Sequence, residues 1–185
     1  MPLGSLTWTP ALDRPDLLAA GTADAVRRWA TASDDVAAAV RVTEIDPDLA
    51  DTAALTAAYD LPLDASANCV LVAGRRAGEE RVAAAVVLAS TRADVNNAIK
   101  RLLDVRKASF MAMDRAVEDS GMEYGGITPI GLPEGWRVLV DARVRDAGDV
   151  VVGSGLRRSK ITLPGALLAR MPGVEVVEDL ALPVS

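Results

Sequence analysis

The sequence predicts a single α/β domain, and three observations carry that reading. Half of the 185 residues are apolar, enough for a sizeable core at a length usual for one domain. Two short β-branched runs, Cys69 to Ala73 and Val82 to Leu88, flank Gly74-Arg75-Arg76-Ala77-Gly78, as the strands of a hairpin flank its loop. From Asp94 the period changes: Val95, Ile99, Leu102 and Leu103 recur at i, i+4, i+7 and i+8, the spacing of one face of an amphipathic helix.

The remaining elements follow in chain order. Asp13-Arg14-Pro15 offers a cap and a proline for a first helical turn, with Leu17 and Leu18 opening an apolar face and Gly21-Thr22 interrupting it. Val26 and Trp29 continue at helical spacing. Val40 to Ile45 reads as a short strand ended by Asp46-Pro47, and Leu49, Ala53 and Ala57 as a short helix. The helix after Asp94 ends in Lys100, Arg101, Arg106 and Lys107, charges that complement a helix C-terminus. A further helix spans Met113 to Ser120 and stops at Gly121. Strands are expected at Val138 to Val140 and Asp149 to Val152, each beside a glycine-rich loop. Pro164 opens a last helix through Leu168, before a strand near Val174 to Val177.

Composition excludes several kinds of chemistry. The chain has no histidine, which removes Ser-His, Cys-His and zinc-His sites together, and no metal or cofactor is expected. Its net charge of −6 argues against broad adhesion to nucleic acid, so RNA contact would be local and DNA is no expected partner. The six aromatic residues are too dispersed for a base-stacking platform. The longest apolar run, Val82 to Ala89, is far short of the roughly 18 to 20 residues of a membrane span. With no signal-like start and a single cysteine, Cys69, a cytoplasmic protein is expected. Cys69 itself lies in a strand-like run, where a thiol behaves as a small hydrophobe.

Two glycine loops are the candidates for ligand contact, because glycine lets exposed N–H groups approach a carbonyl or phosphate oxygen. They are Gly125-Gly126-Ile127-Thr128-Pro129 and Gly153-Ser154-Gly155. The second has neither the third glycine of a dinucleotide fingerprint nor a Gly-Lys-Ser ending, and Val152 stands where a nucleophile elbow would begin.

The succession Tyr124-Gly125-Gly126-Ile127-Thr128-Pro129-Ile130-Gly131, then Leu139-Val140-Asp141, then Val150-Val151-Val152-Gly153-Ser154-Gly155-Leu156-Arg157, resembles the C-terminal half of the YbaK/EbsC-type aminoacyl-tRNA deacylases. These are free-standing relatives of the editing domain of prolyl-tRNA synthetase. The resemblance runs from about Thr43 to Gly173, so residues 1–42 read as an N-terminal helical extension and residues 43–185 as the deacylase-like unit.

What it implies is a mixed, partly closed β-sheet flanked by helices, with a pocket for the aminoacyl end of a mischarged tRNA, an aminoacyl-tRNA synthetase as a companion, and no cofactor. Carried onto this chain, Gly125, Gly126 and Thr128 would act on the ester carbonyl. Ile127, Pro129, Gly153, Ser154 and Gly155 would border the amino acid. Where the family carries a lysine at the start of its first central strand, this chain reads Asn68-Cys69-Val70-Leu71-Val72. Asn68 would then orient the substrate by hydrogen bonds, and Lys107 and Arg157 are the cations that could replace the missing charge. The alternative is a non-catalytic module that keeps the pocket for an aminoacyl group, an amino acid or a nucleotide-like ligand.

Overall fold

The computed structural model describes residues 3–184. After a two-residue strand β1 (Thr9–Pro10), two single 3-10 turns precede helix α1 (Ala20–Ala32). The helix expected at Pro15 is thus only one turn, because Leu18 is extended and leads the chain away. Gly21 and Thr22 lie inside α1 and do not end it. The glycine is there for contact: a Cβ on Gly131, whose φ is +87°, would lie 2.6 Å from the Gly21 carbonyl carbon.

A short α2 (Val36–Ala39) leads to β2 (Arg41–Glu44), and α3 (Thr52–Tyr59) ends where Asp60 takes left-handed backbone. The hairpin is longer than expected. Strands β3 (Ala67–Arg76) and β4 (Glu79–Leu88) pair along their whole length around the two-residue turn Ala77-Gly78. Both turn residues have positive φ, +51° and +85°, the backbone that matches the right-handed twist of a hairpin.

After β5 (Thr91–Ala93), residues Val95–Ile99 wind as a wide π turn capped by Asp94, and only Lys100–Leu102 is α-helical (α4). The apolar spacing that predicted this helix survives, with Val95, Ile99 and Leu103 buried together. Strand β6 (Ala108–Phe110) follows, then α5 (Met113–Ser120), stopped by Gly121 at φ +67° as expected. The last third holds β7 (Arg137–Asp141), α6 (Ala142–Asp146), β8 (Asp149–Gly153), β9 (Ser159–Pro164), α7 (Gly165–Ala169), β10 (Val174–Val177) and β11 (Ala181–Pro183).

Five strands form a mixed sheet in the order β10-β7-β4-β3-β6, with β4, β7 and β10 parallel. Strand β4 lies near its centre, covered on both faces. Val86 and Leu88 point into the core shared with α1, while Ala83, Ala85 and Val87 point beneath the π turn. That two-sided burial is why its sequence is continuously apolar. A second, antiparallel sheet, β1-β2-β9-β8, packs against the first, and a bridge between Ser66 and Val151 joins the start of β3 to β8. The result is the mixed, partly closed sheet with flanking helices that the resemblance implied.

The boundary expected after residue 42 falls inside β2, which pairs with β9. Ala11, Leu17, Val26, Trp29, Val36 and Val40 belong to the same buried cluster as Val86, Val140 and Ile161, so the first forty residues form part of the core. Among the described residues no helix is long and apolar enough to cross a membrane.

One buried carboxylate ties the end of the five-stranded sheet together. Asp141, 1% exposed, accepts from the backbone N–H of Arg143 at 2.9 Å, from its guanidinium, and from the N–H of Ala181 at 2.8 Å. It therefore caps α6 and pins β11 at once. Asp141→Ala is expected to cost about 3 kcal/mol, because it leaves a buried donor and a half-buried guanidinium without their acceptor. Urea denaturation of the purified variant measures this, and a loss below 1 kcal/mol would show that the clamp is dispensable.

Candidate functional site

The site forms where the two sheets meet. A cavity of about 360 Å³ is walled by Asp51 and Thr52 at the start of α3, by Ser66 to Val70 on and before β3, by Tyr124, Gly125 and Ile127, by the end of β8, and by Lys160 of β9. Asn68 sits in its wall, and its Oδ1 accepts from the Thr52 hydroxyl at 2.8 Å. The amide orientation is thereby set, leaving the Asn68 NH₂ as the donor available to a ligand. Ser66, 3% exposed, lines the same cavity, and its hydroxyl has no partner among the described residues. An unsatisfied buried hydroxyl is unfavourable unless something else binds it.

The glycine loops are laced to one another through their backbones. Gly155 N–H donates to the Gly126 carbonyl at 2.7 Å, and Glu123 N–H to the Gly155 carbonyl at 2.9 Å. A Cβ on Gly126 would stand 2.5 Å from the Leu156 carbonyl carbon, and one on Gly153 would collide with the Gly126 and Ile127 carbonyls. These glycines are thus needed for backbone on backbone. Only Gly125, Ile127 and Gly153 of the expected loop residues line the cavity. Gly126, Thr128 and Pro129 are buried behind it, the Thr128 side chain completely, and Gly155 packs against Ala19 and Thr22. Ser154 is also fully buried, with its hydroxyl bonded to Ser159 and Leu156.

Among the described residues, the N–H groups of Gly125 and Ile127 donate to no protein acceptor, whereas that of Gly126 is taken by the Glu123 carbonyl at 2.9 Å. Both residues line the cavity, and a backbone N–H without a protein acceptor can donate to an oxygen that gains negative charge.

The expected cations divide. Lys107 lies in a different cleft, beside β6, and does not reach this cavity. Arg157 stands at the rim: its guanidinium is 5.4 Å from the Tyr124 ring centroid and 3.9 Å from Asp51, both lining residues. The cation inside the cavity is Lys160, a residue that the sequence reading passed over. It is 8% exposed, and its Nζ donates to the Gly125 carbonyl at 2.9 Å. Burial pushes its pKa down from the usual 10.5 to about 8; Asp51 draws it back up, and Arg157 pushes it further down. Cys69 is the opposite case, for burial raises its thiol to about 12, so it remains protonated as part of the wall.

Lys160 left a signal that was readable. It is one of three lysines among twenty basic residues, and it stands in the alternating run Ser159-Lys160-Ile161-Thr162-Leu163. A strand there would have placed the lysine between two buried neighbours.

A domain built this way offers a small pocket with backbone donors, one amide and one buried ammonium, the features of a binding site for an acyl group. A family model for the aminoacyl-tRNA editing domain matches residues 46–171, about two thirds of the chain. The protein belongs to the aminoacyl-tRNA editing domain family. Among solved structures, the hypothetical protein APE2540 is similar at 20% identity and a TM-score of 0.70, over 85% of this chain and 99% of that one. A "putative trans-editing enzyme for prolyl tRNA synthetase" is similar at 17% identity and a TM-score of 0.66, over 83% of this chain and 95% of the other. No curated protein matches the sequence at a significant level.

Burying the Lys160 ammonium has a measurable cost. At about 1.4 kcal/mol per pKa unit, the displacement to about 8 amounts to about 3 kcal/mol at neutral pH. Below pH 8 both folded and unfolded chains hold the proton, and the whole cost is present. Between pH 8 and 10.5 the unfolded chain binds more protons than the folded one, so stability rises with pH. Lys160→Met is therefore expected to be more stable than wild type by up to about 3 kcal/mol at pH 7, with the gap closing toward pH 10. Urea titrations at the two pH values test this, and a gap that widens with pH would contradict the assignment.

Proposed function

We propose that the protein hydrolyses, in trans, the ester between a small amino acid and the 3′-terminal ribose of a mischarged tRNA. The observation that carries this is Lys160, a buried ammonium in the cavity that also holds Asn68 and the unpaired Gly125 and Ile127 N–H groups. It supplies within the pocket the positive charge that Asn68 lacks, which removes the motive for reading the chain as a module that has lost catalysis. Family membership and the structural likeness to a protein described as a trans-editing enzyme support the same reading.

In this mechanism the aminoacyl group enters the cavity, and its carbonyl oxygen meets the Gly125 and Ile127 N–H groups. The Asn68 amide donates to the substrate and holds its orientation. Water adds to the carbonyl carbon, and the negative charge that develops on oxygen is stabilised by the two N–H groups and by Lys160. The carbon–oxygen bond to the ribose then breaks, the ribose oxygen takes up a proton, and free amino acid and uncharged tRNA leave. An ester is already activated, so positioning and charge stabilisation suffice without an imidazole base. The small wall residues Ala50, Ala67 and Cys69 and the unpartnered Ser66 hydroxyl favour a small amino acid side chain. On this reading the protein works in the cytoplasm, downstream of the synthetase that mischarges the tRNA.

Release of amino acid from tRNAs carrying Ala, Ser, Cys or Pro, measured against the enzyme-free rate, tests the proposal. At least one ester is expected to turn over; none above background with folded protein would sink the reading. Lys160→Met is expected to lose about 100-fold or more, and Asn68→Ala about tenfold. Because the ammonium is lost above its pKa, the background-corrected rate should fall as pH rises through about 8. Placing the lysine on β3, in the double variant Asn68→Lys with Lys160→Met, should restore part of the activity.

A further inference from the structure

The cleft that holds Lys107 is chemically unlike the rest of the surface. It has a volume of about 740 Å³ and is bordered by the last residues of β3, the turn after α4, strand β6 and the start of α5. Five cations, Arg75, Lys100, Arg106, Lys107 and Arg115, line it beside one carboxylate, Glu80, although the whole chain carries a net charge of −6. Glu80 is engaged by Arg115 and, at 3.9 Å, by Arg75. Among the described residues, Lys100, Arg106 and Lys107 enter no ion pair, whereas most of the arginines elsewhere do. Three unpaired cations in one concave surface repel one another and cost stability, so their grouping is explained by an anion from outside.

Two features narrow the anion to a nucleic acid strand. Phe110, the last residue of the edge strand β6, is 60% exposed and lines the cleft, and Met113 beside it is 50% exposed. An exposed ring among unpaired cations is the arrangement that stacks a base while its phosphates are neutralised. The second feature is distance along β3. Asn68 lines the acyl cavity and Gly74 lines the basic cleft, six residues further along one strand, or about 20 Å at the rise of a strand. At about 3.4 Å per phosphate along a stacked strand, that span is about six nucleotides.

We propose that the cleft formed by β3, β6 and the segment Lys100–Lys107 binds the phosphate backbone of the tRNA acceptor arm, a few nucleotides from the ester. This rests on the reading of the acyl cavity given above. Strand β3 then acts as a spacer, with the reacting ester at one end and the RNA backbone at the other. Lys100, Arg106 and Lys107 neutralise phosphates, and Phe110 offers its exposed ring to a base about six nucleotides from the ester.

The test uses an RNA minihelix of the acceptor arm with its single-stranded 3′ tail, uncharged, and fluorescence anisotropy over a series of salt concentrations. Wild type is expected to bind with a strongly negative salt slope. The double variant Lys100→Glu with Arg106→Glu should bind at least tenfold more weakly, with a slope shallower by about two. Phe110→Ala should weaken binding severalfold without changing the slope. Unchanged affinity in the charge-reversed variant, with its circular dichroism intact, would overturn the proposal. So would absence of wild-type binding at low salt, or equal displacement by polyglutamate, which would assign the cleft to acidic protein segments. Deacylation separates the two readings. If the charge-reversed variant cleaves an aminoacylated minihelix as well as wild type does, the cleft is excluded and the catalytic reading stands. Should binding behave as described while no ester is cleaved by wild type, the cleft stands and the catalytic reading fails.

Discussion

The backbone segments around Gly126 and Gly153 to Leu156 lie against each other with no side chain between them, and the cavity beside Lys160 depends on that contact. The hydrogen bond from Gly155 to the Gly126 carbonyl holds one loop against the end of β8. With the loop fixed, the Gly125 carbonyl is presented to Lys160 and Gly125 and Ile127 are held in the cavity wall. Preorganised donors are effective because they do not have to reorient when charge develops. A side chain at Gly126 or Gly153 would push the loops apart and spoil the site without touching the ligand.

The elements legible in the sequence were those whose pattern came from burial. The β3–β4 hairpin, α5 with its Gly121 stop, β7, β8 and β10 all coincide with apolar periodicity or a left-handed glycine. Those missed have other causes. Strand β9 alternates polar and apolar residues from Lys160 to Leu163, but both of its faces are buried, Lys160 and Thr162 included, so the alternation does not mark a solvent face. Helix α6, Ala142-Arg143-Val144-Arg145-Asp146, is short and mostly charged, and it exists because Asp141 caps it. Of the cavity wall, Gly125, Ile127, Gly153 and Asn68 were singled out from the sequence, whereas the placement of Lys107 and Lys160 depended on which strands become neighbours. That is a property of the sheet order, which no local spacing encodes.

Electrostatics divides the molecule into regions with different purposes. Most arginines are satisfied by surface pairs such as Arg137 with Glu175 and Arg145 with Asp146, which contribute little to stability but keep an acidic protein evenly charged. Against that background, a buried ammonium with a carbonyl as its protein partner and a cleft of unpaired cations stand apart. Both are arrangements that folding alone disfavours. The cavity that holds the ammonium and the cleft of cations lie toward opposite ends of β3, so in the proposed reading a rigid element joins recognition to chemistry.

The contact between Gly21 in α1 and Gly131 after the Pro129 loop bears on how such a chain can diverge. Most packing faults in a core can be repaired by shrinking a neighbouring side chain. Here the neighbours are main-chain atoms, and nothing on either side can be made smaller. A substitution at Gly131 therefore has no second-site remedy nearby, and mutational drift should pass around this position while the helix surface about it changes freely. The N-terminal helix, whose own sequence carries no site residue, is in this way bound to the history of the pocket loop.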